Sequence, residues 1–278
     1  MSGSVDTSAL YGSNAGSAGS SILSILSGAG AASGGNALAA LAKAERDKTR
    51  DIAQTAKQPQ VAREIAVFTK AVANAKSPAD LLKNPQVLDV LLTANGLGDQ
   101  APYAALARKA LLSDTTKAGS VANKLSDTRW KTVAKTYDFA NKGLSVIQNP
   151  KVLATLANGF AEVTWRQSLD AATPGLSNAL SFRAVAAGVT SVDQILGDST
   201  LRTVITGALG IPPQIAFQQL GAQEHAISSR LDLSKLKDPK FVEGMAQRYL
   251  LSAQAANTGG GGSGDLLSLA AQSRGLFV

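Results

Sequence analysis

The chain has 278 residues, of which 45% are hydrophobic but only 5% aromatic. It is long enough to bury a sizeable core, and that core must be built from Ala, Leu, Val and Ile, which favours closely packed helices. There is no cysteine, which excludes disulfides and thiolate metal sites. The net charge is +7, but the 27 Lys and Arg are spread along the chain and interleaved with acids. This predicts a solvated basic surface rather than a nucleic-acid groove.

In chain order, residues 1–35 are Gly, Ser and Ala with one charged residue, Asp6. Such a segment cannot offset its backbone entropy, so disorder is expected. It is interrupted by Ile22-Leu23-Ser24-Ile25-Leu26, which is too short to span a membrane and is preceded by no Lys or Arg. The patch therefore reads as neither signal peptide nor anchor, and no later apolar stretch reaches spanning length. Helices are expected over 36–57, 59–75, 78–82, 85–95, 101–112 and 128–140. Asn149-Pro150 then opens a long one reaching about Asp170, and Thr173-Pro174 starts the next. Further helices are expected over 199–209, 213–231 and 239–256. No period-two alternation appears, so strands are not expected. Gly259 to Gly264 form a flexible tether. It leads to an apolar tail with Leu266, Leu267, Leu269, Leu276, Phe277 and Val278.

The body of the chain repeats itself. A shift of 114 positions pairs Phe68 with Phe182, Ser77 with Ser191, Leu82 with Leu196, Val90 with Val204 and Gly96 with Gly210. A shift of 111 then pairs Leu125-Ser126-Asp127-Thr128-Arg129-Trp130 with Leu236-Lys237-Asp238-Pro239-Lys240-Phe241. In each copy Ser77 or Ser191 is placed to cap a helix, with Asp80 or Gln194 three residues on, and Gln194 fits a capping box better. Asn84 or Asp198 caps the next helix. That helix stops at Gly96 or Gly210, with Leu97 or Ile211 placed to fold back on the last turn. Apolar positions and caps are shared while surface residues differ. The reading is an all-α protein of two related multi-helix units from an internal duplication. Residues 36–148 form the first unit and 149–257 the second, flanked by flexible segments 1–35 and 258–278.

Motifs that carry chemistry are weak. Gly96-Leu97-Gly98-Asp99-Gln100-Ala101 matches a dinucleotide fingerprint by letter, but it follows a helix, and Pro212 and Pro213 stand in the other copy. The single histidine, His225, cannot make a two-histidine metal site and has no recognisable nucleophile beside it. Asp127, Asp198 and Asp238 are accounted for as caps, and Phe68, Trp130, Phe182 and Phe241 as core. Trp165-Arg166 reads as core followed by a snorkelling neighbour. No enzyme, cofactor or metal is expected.

Phe68 with Ser77-Pro78-Ala79-Asp80, the helix closing in Asn95-Gly96-Leu97, and Asp127-Thr128-Arg129-Trp130 together resemble a helical family of unknown biochemical activity encoded among flagellar genes in alphaproteobacteria. The resemblance covers about residues 58–256. The second copy departs from the pattern at Pro212-Pro213 and has Lys240 in place of the arginine. It implies a non-enzymatic structural or assembly protein of the flagellum with protein partners, and it supplies no catalytic residues. A cysteine-free chain led by a disordered segment fits export through the flagellar route. A cytosolic adaptor or export chaperone for another flagellar protein is the alternative. No nucleic acid and no membrane span are expected, and a homo-oligomer is compatible with the sequence. Ile22, Leu23, Ile25 and Leu26 at one end, and Leu266, Leu267, Leu269, Leu276 and Phe277 at the other, are the candidate partner-docking residues. The terminal segments either pack back on the body or order against a partner.

Overall fold

A computed structural model describes residues 29–259, with side chains described for 36–257. The described residues form helices joined by turns, with no strand. The α-helices are α1 (Ala29–Ala56), α2 (Pro59–Asn74), α3 (Pro78–Leu81), α4 (Pro85–Ala94), α5 (Ala104–Leu111), α6 (Val121–Lys124), α7 (Arg129–Tyr137) and α8 (Phe139–Lys142). They continue as α9 (Pro150–Leu169), α10 (Leu176–Val185), α11 (Val192–Gly197), α12 (Ser199–Ala208), α13 (Leu220–Ser228) and α14 (Pro239–Gly259). Short 3-10 turns over Gly98–Tyr103, Ala186–Gly188, Pro213–Phe217 and Leu233–Lys237 join several of them.

The starts and stops follow from the caps. The Ser77 hydroxyl accepts from the Asp80 amide, and Ser191 makes the reciprocal capping box with Gln194. Asn84 accepts from the amides of Gln86 and Val87, and Asp198 from those of Thr200 and Leu201. Gly96 and Gly210 adopt φ of 73° and 64°. Beyond them, Leu97 N–H donates to the Leu92 carbonyl and Ile211 N–H to the Thr206 carbonyl, at 2.8 and 2.9 Å. This closes both helices with the same left-handed Schellman turn.

Five expected boundaries move. The first helix begins at Ala29 rather than Asn36, so residues 29–35, expected to be disordered, are helical. Extending a formed helix fixes one residue per hydrogen bond gained, and the alanines there favour it. The expected helix over 128–140 breaks at Asp138, whose φ is 46°, a conformation Asp tolerates better than most residues. The expected helix over 213–231 becomes a 3-10 turn and then α13, separated by extended Gln218 and Gln219. The helix expected at Thr173-Pro174 starts at Leu176, after Gly175 in the left-handed region. At the other end α14 runs to Gly259, past the expected end at 256.

Two apolar cores result. One is built around Phe68, Leu82, Leu91, Leu97 and Trp130, the other around Phe182, Ile195, Ile205, Leu236 and Leu250, all essentially inaccessible to solvent. Phe68 and Phe182 are thus equivalently buried. Phe241, expected in the core like Trp130, is only half-buried and lies under the Lys235 ammonium at 5.9 Å.

The packing crosses the expected boundary at 148/149 in both directions. Leu156, Phe160 and Ala161 of α9 belong to the first core, while Trp165, farther along the same helix, belongs to the second. Helix α1 runs the other way. Its Ala37, Leu41 and Ala44 line the second core, and Ile52 and Ala56 pack on the first. The Lys48–Glu162 ion pair at 2.7 Å bridges the two antiparallel helices at the edge of this packing.

Candidate functional site

Between the two cores lies a cleft of about 760 Å³. Its walls are the turn after α4 (Gly96, Asp99), one face of α7 (Thr128, Thr132, Thr136), α9 (Val163, Arg166), α10 (Ser177, Ser181, Val185) and the start of α12 (Asp198 to Leu201). The threonines recur at i, i+4 and i+8, which places them on one helical face. The hydroxyls of Thr132 and Thr136 donate to the carbonyls of Thr128 and Thr132. This wall of the cleft therefore presents hydroxyl lone pairs and methyl groups.

Arg129 is the centre of its floor. Asp127 accepts from the Arg129 backbone amide at 3.0 Å, starting α7, and takes its guanidinium on both oxygens at 2.7 to 3.0 Å. The same guanidinium donates to the Gly96 carbonyl and to Asp99 at 3.2 Å, and lies 3.4 Å from Asp198. Ser199 donates to Asp99 at 2.9 Å. One arginine thus ties the end of α4 in the first core to the start of α12 in the second. Beside it, Gly197 packs directly on the backbone of Ser126 and Asp127.

The ionisation of the cluster follows from this geometry. Burial opposes the charge on Arg129, but the hydrogen bonds to Asp127 and the fields of Asp198, Asp127 and Asp99 outweigh it, raising its pKa. Burial also pushes Asp99 up, yet hydrogen bonds from Gln100, Ser199 and Arg129 and the arginine's charge hold it below the ordinary carboxylate value. Asp198 goes the other way: burial, reinforced by nearby Asp127, exceeds the help from Arg129 and two backbone amides. Three carboxylates share one cation, and the most weakly placed of them stays raised.

The second arginine of the cleft, Arg166, pairs with Glu162 and lies 3.4 Å from Ser181. It does not snorkel, as expected from sequence, because its side chain is only 11% exposed. Glu162 is held below its ordinary value: burial raises it, and Lys48 and Arg166 outweigh that. The charged groups of the cleft are therefore largely engaged with one another, although the Arg166 Nε is buried without a hydrogen-bond partner. His225 lies on α13, exposed, and does not line the cleft. Among the described residues no group of three or more His, Cys, Asp or Glu is placed to hold a metal ion. No described helix is long and apolar enough to cross a membrane.

The docking candidates Ile22, Leu23, Ile25, Leu26, Leu266, Leu267, Leu269, Leu276 and Phe277 lie outside the described residues. The cleft and its arginine cluster are not visible as a motif. The one sequence signal for them is the Asp127-Thr128-Arg129 step, whose counterpart Asp238-Pro239-Lys240 keeps the aspartate cap but not the guanidinium.

Comparison with solved structures finds a crystal structure of a protein from Agrobacterium tumefaciens, determined by a structural genomics consortium, with a TM-score of 0.69 and 25% sequence identity. The match covers 80% of this chain and 94% of that one. Comparison with curated proteins gives no match. The family model described as "Protein of unknown function (DUF1217)" matches residues 94–242, a span that holds the turn after α4, Arg129, α9 and the start of α12. The chain belongs to this family.

Proposed function

We propose that the chain is a non-enzymatic structural or assembly protein of the bacterial flagellum, exported by the flagellar route and acting through its helix surfaces and terminal segments. The observation that carries the non-enzymatic part is the state of the cleft. Arg129 is held by Asp127 and Asp99 and, across the two cores, by Asp198, while Arg166 is held by Glu162 within α9, an arrangement suited to rigidity rather than to proton transfer or nucleophilic attack. The flagellar part rests on the family resemblance of the Ser77 to Asp80 and Asn95 to Leu97 segments and of the Asp127 to Trp130 step.

The test is fractionation of cells with and without a working flagellar export gate. The proposal expects the protein in purified flagella or culture fluid, and only when the gate works. Retention in the cytosol with one co-purifying soluble client would instead establish the adaptor or chaperone reading.

A further inference from the structure

The first and last described helices leave the body at one pole of the second core. Lys48 meets Glu162 at 2.7 Å, so α1 runs against α9. Arg166 lies 3.4 Å from Ser181, and Asp170 accepts from the Ser177 amide at 2.9 Å, so α9 runs against α10. Arg183 pairs with Glu45 of α1 at 3.4 Å and with Glu243 of α14 at 2.6 Å, while Asn178 donates to the Tyr249 hydroxyl at 3.2 Å. Helix α14 therefore runs against α10 and against α1, with which it packs. Its Gly259 end points the same way as the Ala29 start of α1.

The stretches that meet there carry no charge, in a chain that is 17% charged. Residues 36–42 of α1, 171–182 around the α9–α10 connection, 203–211 at the end of α12 and 249–259 of α14 hold no Asp, Glu, Lys, Arg or His. Tyr249 joins three of them, since Gly175 and Gly207 both stand against its ring. Asp170, at the edge, turns its carboxylate to the amide and hydroxyl of Ser177. On this pole Leu251 of α14 is 41% exposed and Leu38 of α1 is half-buried. What seats there must be uncharged and apolar, because a charge pressed on such a surface loses its water for no partner.

We propose that the chain's own segment Leu266–Leu269 docks on this pole, over Leu251. Its composition matches, because residues 266–273 are Leu, Ser, Ala and Gln alone. Its reach matches as well. Seven residue steps, mostly through glycine, separate Gly259 from Leu266, and such a chain spans about 15 Å on average. Leu251 lies eight residues back along α14, a distance of about 12 Å. A tether whose mean span equals the distance to be covered gives the highest effective concentration. The other apolar patch fits less well. Leu26 is three residue steps from Ala29, about 10 Å at full stretch, and falls short of Leu38, about 14 Å along α1. A partner that takes the C-terminal segment must first displace it from the pole.

The chain has no cysteine, so an introduced pair reports on itself alone. The experiment is mild oxidation of two full-length variants, Leu251→Cys/Leu267→Cys and Leu38→Cys/Leu267→Cys, read by non-reducing electrophoresis and mass. A disulfide within one monomer is expected in at least one of them. Adding Leu266→Asn/Leu269→Asn to that pair should slow closure at least about tenfold, since two leucine side chains no longer hold the segment down. The asparagines are neutral and leave the tether length unchanged, so random encounter of an undocked segment would close at the same rate. Thermal melts of the reduced proteins show that the body is folded in each. No monomeric disulfide in either pair, or closure indifferent to the asparagines, overturns the proposal. So do disulfides found only between two copies, which would assign the pole to a second chain.

Discussion

Gly197 stands against Ser126 so closely that a Cβ on it would lie 2.5 Å from the Ser126 carbonyl oxygen. Both neighbours are backbone, which cannot swing aside as a flexible side chain would. Gly197→Ala should therefore destabilise the protein by about 1–3 kcal/mol through overpacking. Gly244, inside α14, faces open space, so Gly244→Ala should instead stabilise by about 0.5–1 kcal/mol. Urea midpoints of the two variants, measured side by side, check the opposite signs.

Gly96 and Gly210 have room for a side chain, but their φ values of 73° and 64° disfavour one. Alanine at either position should cost about 1–2 kcal/mol, and asparagine less, because its side chain tolerates the left-handed region. Similar losses at the two sites would follow from their shared Schellman geometry. Thermal unfolding of the four single variants measures this.

Removing the guanidinium in Arg129→Met leaves Asp99, Asp127 and Asp198 facing one another without a counter-charge. The cost should be on the order of 3 kcal/mol, since breaking a buried pair strands the partner's charge. Arg129→Lys keeps the charge and loses the fork that spans Asp127, Asp99 and Gly96, and should remain destabilised by about 1.5 kcal/mol or more. Denaturant unfolding at neutral pH distinguishes the three proteins.

Asp99 and Asp198 should contribute oppositely to acid stability. Asp99 has a lowered folded pKa, so the stability it gives is present above the ordinary carboxylate value and is lost as pH falls through the folded one. Asp198 has a raised folded pKa, so the folded state takes up its proton first and gains relative stability as pH falls through that range. Asp99→Asn should thus flatten the acid limb of the stability curve, and Asp198→Asn should steepen it while keeping an adequate cap. Unfolding midpoints between about pH 3 and pH 7 give both slopes.

What could be read from the residues alone is what acts over a few positions. Ser191 with Gln194, Asn84, Asp198, Gly96 and Gly210 announce their roles because a cap or a left-handed turn is decided within one turn of helix. The break at Asp138 is not announced by a glycine or proline: Trp130, Val133 and Tyr137 hold a helical apolar spacing up to it, and one aspartate in the left-handed region changes the direction. The one-turn helix at Val121–Lys124 is too short to show a period. Arg129 could be assigned to its neighbour Asp127, but its contacts to Asp99 and Asp198 depend on how the two cores meet, which no local pattern encodes.

Helices α1 and α9 each belong to both hydrophobic centres. A gene fragment ending near residue 149 would encode a protein lacking Leu156 and Phe160 from its interior, and the complementary fragment would lack Ala37 and Leu41. Neither half can be shed in evolution or expressed alone without exposing the seat of a missing helix.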